Sequence, residues 1–245
     1  MIINDDFNNY KKYNIPKADL ILTDIPYCIG LNAYASNRSW WKDGNVANGN
    51  SKRAKTEFFS GEGQFDIDQF LDFCKNNLKE NGSVIVWCSH LQQFEIISKM
   101  KKYGFKKYIP LVFIKNNSAE TLKVNMRIVG ACEYGLQLIQ NRLPAFYNNR
   151  KMIKNWFNMK TQYFSVKKLH PNQKPDDLLE QFIQLYTKEG DVVIDCCAGS
   201  GSTMVACKKL NRNFIGIEIN NEYFKIAESR INSINNENKN EMFDL

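Results

Sequence analysis

The stretch Val192-Val193-Ile194-Asp195-Cys196-Cys197-Ala198-Gly199-Ser200-Gly201-Ser202-Thr203 reads as a short buried strand, a tight glycine turn and the opening of a helix. Glycines carry no side chain and tolerate left-handed dihedrals, so such a turn lets a small ligand approach the backbone at a helix start. The next apolar run, Asn213 to Glu218, predicts a strand with Glu218 at its end. A carboxylate there, close to the roughly 20 residues past the turn that ribose-binding acids show, would accept hydrogen bonds from both ribose hydroxyls. Strand, turn, helix, strand and acid in this order describe a site for a nucleoside-bearing cofactor. Dinucleotide sites prefer GxGxxG, and Met204 stands where the third glycine belongs.

Working outward, a second well-defined strand end is Ala18 to Asp24 (ADLILTD), followed by Ile25-Pro26-Tyr27. An acceptor carboxylate beside a proline-stiffened backbone and an aromatic face suits a planar ring bearing an amine. Asp24 and the Ile25 carbonyl would take the amine hydrogens, and Tyr27 would stack on the ring. Read alone, DIPY is equally a strand ending in a proline turn. Periodicity predicts helices over Asp66 to Lys79 (with a breaker at Asn81-Gly82), Leu91 to Tyr103, Pro175 to about Thr187, Ser202 to about Leu210, and from Asn221 onward. Strands are expected at Ser83 to Cys88, Lys107 to Lys115, Ala131 to Gln140 and Asp191 to Cys196, with a frayed polar tail from Asn235. This alternation implies an α/β fold with a doubly wound, mainly parallel sheet and ligands at the carboxyl ends of its strands. A single catalytic unit spans 1–245. Two segments break the rhythm: Leu31 to Gly63, an aperiodic stretch read as a mobile loop, and 140–169, read as a short basic insertion.

Charge is concentrated in that second segment. Tyr134 to Pro175 contains no Asp or Glu and eight Lys or Arg, against a net charge of +7 for the whole chain. Arg142, Arg150, Lys151, Lys154 and Lys160 alternate there with Phe146, Tyr147, Trp156, Phe157, Tyr163 and Phe164, a mixture suited to phosphates and unstacked bases. A solvated basic surface is the plainer reading. Seven irregularly spaced cysteines and a polar start argue for a reducing compartment, the cytoplasm. No apolar run approaches the roughly 20 residues of a membrane helix. The two histidines, His90 and His170, are far apart and no cysteine pair has zinc-site spacing, so no metal is expected.

With these residues in view, the chain resembles the amino-methyltransferases of DNA, the adenine N6 and cytosine N4 enzymes. Their four-residue signature, usually Asp-Pro-Pro-Tyr, corresponds to Asp24 to Tyr27, and their cofactor signature to Asp195 to Thr203. His170-Pro171-Asn172-Gln173-Lys174-Pro175 is similar to the stretch the family places before its cofactor strand. Ile2 to Asp6 is similar to its amino-terminal acidic turn. The resemblance implies a Rossmann-like class I methyltransferase fold and S-adenosylmethionine as cofactor. It assigns contacts to Asp6, Asp24, His170, Gln173, Lys174, Asp195, Ala198, Gly199, Ser200, Gly201, Ser202, Thr203, Glu218 and Ile219, and makes 140–169 the target-recognition region. The chemistry loop precedes the cofactor loop, as in the permuted beta class. The departure is Ile25 for proline, which still supplies the backbone carbonyl but less stiffness.

The resemblance implies direct attack by the N6 amine of adenine on the sulfonium methyl, with double-stranded DNA as partner and the base rotated out of the stack. Ring-carbon methylation would need a cysteine after a proline, and none of the six prolines is so followed. Cytosine N4 methylation is the nearest alternative; a nucleic-acid-binding homologue that no longer transfers methyl groups is the alternative of another class. A homodimer and a cognate restriction endonuclease are the further partners the family suggests.

Overall fold

The computed structural model describes residues 1–28, 65–115, 121–123, 128–129, 131–149, 151–159 and 174–240, with backbone alone at 121–123, 128–129 and 235–240. The expected loop 31–63 lies outside the described residues. Ten strands are described: β1 (Ile2–Ile3), β2 (Ala18–Asp24), β3 (Leu78–Trp87), β4 (Lys107–Lys115), β5 (Thr121–Lys123), β6 (Ile128–Val129), β7 (Cys132–Ile139), β8 (Trp156–Met159), β9 (Val192–Asp195) and β10 (Asn213–Ile217). Five helices accompany them: α1 (Ile67–Asn77), α2 (His90–Lys99), α3 (Asp176–Tyr186), α4 (Ser202–Lys209) and α5 (Asn221–Asn240). Eight strands form one sheet in the order β1-β10-β9-β2-β3-β7-β4-β8, while β5 and β6 pair by themselves. The pairs from β1 to β3 are all parallel; β7 runs antiparallel to both β3 and β4, and β8 is parallel to β4.

β2 and β9 are neighbours, with Ile21 opposite Ile194. From β2 the chain moves through α1 to β3 on one side; from β9 it moves through α4 to β10 on the other. Their shared carboxyl edge is therefore the point where the winding reverses, the place where an open α/β sheet offers a crevice. Both strands are apolar on both faces because both faces are covered. Ile21, Val84 and Ile194 face α1 and the amino-terminal turn through Phe70, Phe73, Phe7 and Tyr10. Leu20, Leu22, Ile85 and Val193 face α3 and α4 through Leu179, Phe182, Ile183 and Ala206. On that second face Trp87 stacks on Phe113 with centroids 4.6 Å apart and meets Phe182 edge-on, each pair adding about 0.5–1.5 kcal/mol beyond area burial.

Three expectations are corrected. β3 begins at Leu78, not Ser83. Asn81-Gly82 marks an irregularity in the pairing with β2, between Ala18 and Leu20, and not a gap between elements. Lys79 pins this bulge by donating to both Asp19 oxygens at 2.8 and 2.9 Å, and Asp19 also accepts from the Val192 amide. The tail expected to fray from Asn235 continues the helix to Asn240, since Asn, Glu and Lys without glycine or proline do not stop one. Within 140–169, Trp156–Met159 forms the edge strand β8, whose alternate residues Phe157 and Met159 enter the core. No helix among the described residues is long and apolar enough to cross a membrane.

β7 fits between β3 and β4 at the cost of a side chain. A Cβ on Gly135 would lie 2.6 Å from the Val86 carbonyl oxygen and 3.1 Å from the Phe113 ring. Gly135→Ala should therefore lower unfolding stability by about 1–3 kcal/mol, the usual cost of overpacking. Urea denaturation measures it, and an unchanged midpoint would mean the strands separate freely at this point.

Candidate active site

The first loop at the switch point is Asp24 to Tyr27. Ile25 donates its amide to the Trp87 carbonyl at 3.2 Å, extending the β2–β3 pairing by one residue, and its side chain is buried in the core. A proline here could do neither the donation nor this packing, so the departure from the usual signature has a local compensation. The Pro26 carbonyl accepts from the Gln92 side chain at 2.6 Å. Gln92 is also the third residue of a capping box opened by Ser89, which fixes α2 to the loop.

Behind the loop lies a chain of alternating charges. Lys174 Nζ is 2.8 Å from Asp24 Oδ2 and 2.8 Å from Glu133 Oε2, and Lys115 Nζ is 2.8 Å from Glu133 Oε1. Lys115, Glu133 and Lys174 are each less than a fifth exposed. The Tyr27 hydroxyl donates to Glu133 at 3.3 Å, and Lys174 approaches that hydroxyl at 3.4 Å. Burial pushes Asp24 up, and Glu133 and Asp195 add to this; Lys174 opposes it, and the carboxyl settles at about 6. Burial would also raise Glu133, but Lys174 and Lys115 outweigh it and hold the carboxyl down at about 2. Burial pulls Lys174 down, yet Asp24, Tyr27 and Glu133 keep it well above the usual lysine range. One atom stands out: Asp24 Oδ1 is buried, with no hydrogen-bond partner among the described residues. An unsatisfied buried carboxylate oxygen is costly unless something else donates to it.

The second loop follows β9. Asp195 is 4% exposed and turned inward, accepting from Thr23 Oγ1 at 2.8 Å, Thr203 Oγ1 at 2.7 Å and the Cys197 amide at 3.1 Å. Burial raises this carboxyl to about 6 against those three donors. Gly199 and Gly201 adopt φ of 52° and 83°, in the left-handed region, and Gly201 opens α4. Arg230 from α5 holds the turn by donating to the Ser200 carbonyl, the Ser200 hydroxyl and the Ser202 hydroxyl. Ala198 donates its amide to the Ile217 carbonyl. Glu218, just past β10, accepts from the Gly199 amide at 2.7 Å and from the Asn220 amide at 2.7 Å, one bond to each oxygen. Each oxygen retains a lone pair, which fits a ligand carrying two neighbouring hydroxyls. Ile219 beside it is 62% exposed, an apolar surface on the rim.

The third loop comes from the amino terminus. β1 lies parallel to β10 with Ile3 opposite Ile217, which sets Asp5 and Asp6 beside Glu218. Asp6 caps the turn Phe7–Lys12 by accepting from the Asn8 amide. Asn4 donates to the carbonyls of Glu218 and Ile219. The sheet thus brings Asp6, Asp24 to Tyr27, Lys174, Asp195 to Thr203, Glu218 and Ile219 to one edge. Arg142 is elsewhere, in an exposed pair with Glu80 at 3.3 Å; Lys151 is exposed, and Lys154 lies 4.9 Å from the Trp156 ring centroid. Arg150, Lys160, His170 and Gln173 lie outside the described residues. The sequence reading missed Glu133, Lys115, Thr23, Gln92, Asn4 and Arg230. A single acid in the mainly apolar Cys132–Ile139 was the available signal for Glu133.

A family model described as DNA methylase, covering N6 and N4 methyltransferases, matches residues 18–229. The chain belongs to this family. Among similar proteins, the Type II methyltransferase M2.DpnII of Streptococcus pneumoniae is 29% identical over 97% of this chain and 91% of its own length. The DNA adenine methyltransferase YhdJ of Escherichia coli K12 is 30% identical over 94% of this chain and 82% of its own. The crystal structure of the M1.HpyAVI–SAM complex superimposes with a TM-score of 0.66 at 25% identity, covering 95% of this chain and 100% of the other. The cytosine-N4-specific PvuII methyltransferase gives a TM-score of 0.69 at 18% identity over 94% and 85% of the two chains, a likeness of fold. As a DNA methylase the chain has the class I methyltransferase fold, acts on DNA and takes its methyl group from S-adenosylmethionine.

In this methylase Lys174 is the charge that opposes burial of Asp24. Lys174→Met should therefore move the Asp24 midpoint above about 6, read from the carboxyl carbon shift by NMR. It should also cost about 3–5 kcal/mol of stability, because a buried partner is left uncompensated. An unchanged midpoint would show that the pair does not form in solution.

Proposed function

We propose that this methylase transfers the methyl group of S-adenosylmethionine to the exocyclic N6 amine of adenine in double-stranded DNA, at a base rotated out of the helix. The observation that carries the proposal is Asp24 Oδ1, buried and, among the described residues, without a partner. Among the described residues no donor reaches this acceptor. The adenine amine offers two hydrogens: one to Asp24 Oδ1, the other to the Ile25 carbonyl. These bonds favour a pyramidal nitrogen with an available lone pair. Pro26 stiffens the backbone that presents both acceptors, and Tyr27 stacks on the ring. A base still in the duplex cannot reach this edge.

S-adenosylmethionine, when bound, supplies an electrophilic methyl on sulfur. Glu218 would hold the ribose hydroxyls, Ile219 and Asp6 the adenine end, and the backbone of Ala198 to Thr203 the middle of the ligand. Asp195 holds the loop in shape through Thr23 and Thr203. His170, Gln173 and Lys174 would lie at the methionine end. The amine nitrogen forms its bond to the methyl carbon as the carbon–sulfur bond breaks, and the amine then loses one proton. Asp24, raised towards 6, is placed to accept it. In-line placement of the two reactants can supply up to about 7–11 kcal/mol of the barrier reduction.

For the duplex we propose 140–169. Lys151 and Lys154 are exposed there, with Lys154 over the Trp156 ring on β8, while Phe146 packs near Tyr186 and Tyr147 near Lys188; Arg142, Arg150 and Lys160 belong to the same segment. The Type II relative M2.DpnII supports a cognate restriction endonuclease as the biological partner. Adenine is preferred over cytosine because position 24 is Asp, and because a 30% identical relative is named an adenine enzyme.

Incubation with mixed-sequence duplex DNA and S-adenosylmethionine, digestion to nucleosides and mass spectrometry should yield N6-methyladenine, and Asp24→Ala should abolish it. N4-methylcytosine would keep the mechanism and overturn the choice of base. Only ionised Asp24 is a full acceptor, and its midpoint is raised to about 6. The rate should therefore be steady above neutrality and fall as pH drops through that value; a rate that rises on acidification would remove Asp24 from this role.

A further inference from the structure

Glu133 has no place in the chemistry above, yet it touches two of the groups that do, Lys174 and Tyr27. It arrives by topology. β7 runs antiparallel to β3, with Gly135 opposite Trp87, so the start of β7 sits at the edge where the parallel strands end. A residue at the second position of that strand therefore reaches the switch point from 109 residues beyond Asp24. Its Oε2 takes Lys174 at 2.8 Å and the Tyr27 hydroxyl at 3.3 Å, and its Oε1 takes Lys115 at 2.8 Å. Lys115 ends β4 and balances the second negative charge, so two acids and two bases form a neutral buried set.

The consequence lies in what Lys174 would do without Glu133. An ammonium is a compact charge on a flexible stem and would turn to both oxygens of the one remaining carboxylate. Held by Glu133, it meets Asp24 through Oδ2. We infer that Glu133 is a positioning residue for the base-binding loop: it restrains Lys174 to one oxygen of Asp24, keeps the other free for the target amine, and fixes the Tyr27 ring through its hydroxyl. This rests on the methyl-transfer reading, in which Asp24 and Tyr27 hold the base. Glu133 also tunes Asp24. The groups facing that carboxyl are Lys174 beside it, Glu133 on β7, Asp195 on β9, Tyr27 in its own loop and Cys88 after β3. Of these, Glu133 and Asp195 raise Asp24 and Lys174 lowers it. Removing the Glu133 charge leaves Lys174 less opposed, so Asp24 ionises at lower pH.

The experiment compares Glu133→Gln and Glu133→Asp with wild type in kcat, KM for unmethylated duplex DNA, the calorimetric Kd for S-adenosylmethionine, and the pH profile. Glu133→Gln should lower kcat about 10- to 100-fold, the scale of a misplaced reacting group. Cofactor affinity should hold, and the acid limb should move to lower pH. Glu133→Asp keeps the charge, so its limb should stay in place while kcat recovers in part. A glutamine variant with wild-type kcat, or one whose limb does not move, overturns the proposal. If Glu133→Gln fails to fold, Glu133→Gln with Lys115→Met restores the cluster's neutrality; low kcat with intact cofactor binding then supports it, and wild-type kcat overturns it. Should the wild type transfer no methyl group, the functional reading fails by itself. The Asp24 carboxyl titration by NMR still decides for Glu133: a lower midpoint in the glutamine variant supports its role, and an unmoved one removes it.

Discussion

The 2.8 Å bond from the Thr23 hydroxyl to Asp195 joins strand ends that lie 172 residues apart in the chain. Asp195 also takes the Thr203 hydroxyl and the Cys197 amide, so one inward carboxylate fixes the end of β2, the end of β9 and the first turn of α4 together. The parallel pairing of β2 with β9 sets the register; this bond sets the relative height of the two loops above the sheet. In the proposed reaction, the separation between a base at Asp24 and a cofactor at the glycine loop would follow from it. Because the carboxylate is ionised inside the protein, the three donors have to be present at once for the arrangement to be stable.

Much of this edge was legible in the sequence because its parts are local. The apolar runs ADLILTD and VVID announce strands buried on both faces, and both occupy the centre of the sheet. The glycines at 199 and 201 announce a turn that only glycine adopts easily, and both have positive φ. Glu218 follows β10 as its spacing suggested, although it also spends one bond per oxygen on the Gly199 and Asn220 amides. What escaped was non-local. Asn81-Gly82 carries a strong breaker signal, but what it marks is an offset that Lys79 and Asp19 hold from within the strand. Periodicity inside β7 gives no sign of its direction, and without the antiparallel step there is no reason for Glu133 to meet Lys174.

The two halves of the edge solve their electrostatics differently. Around Asp195 the charge is met by hydroxyls and an amide, which stay in place whatever the pH. Around Asp24 it is met by counter-charges arranged in alternation, Lys115, Glu133, Lys174 and Asp24, each dependent on the next. Such a row is no stronger as a source of stability than well-packed apolar side chains would be. Its value lies in leaving one buried carboxylate oxygen without a partner among the described residues, which a hydrophobic replacement would not do. Ile25 follows the same economy, since a residue with an amide hydrogen secures the loop where a ring would have stiffened it.

The neighbourhood of β2 and β9 also bears on how the molecule is made. Synthesis at about 5–20 residues per second separates the appearance of Ile21 from that of its partner Ile194 by roughly 10 to 30 seconds. In that interval β2 can pair with β3, and β7 and β4 can complete their side of the sheet, while the flank meant for β9 stays open. On the proposed reading, the loop that would receive the base, Lys174 apart, is made well before the loop that would receive the methyl donor. β2 is meanwhile an unprotected edge, the kind of surface that can pair with another chain.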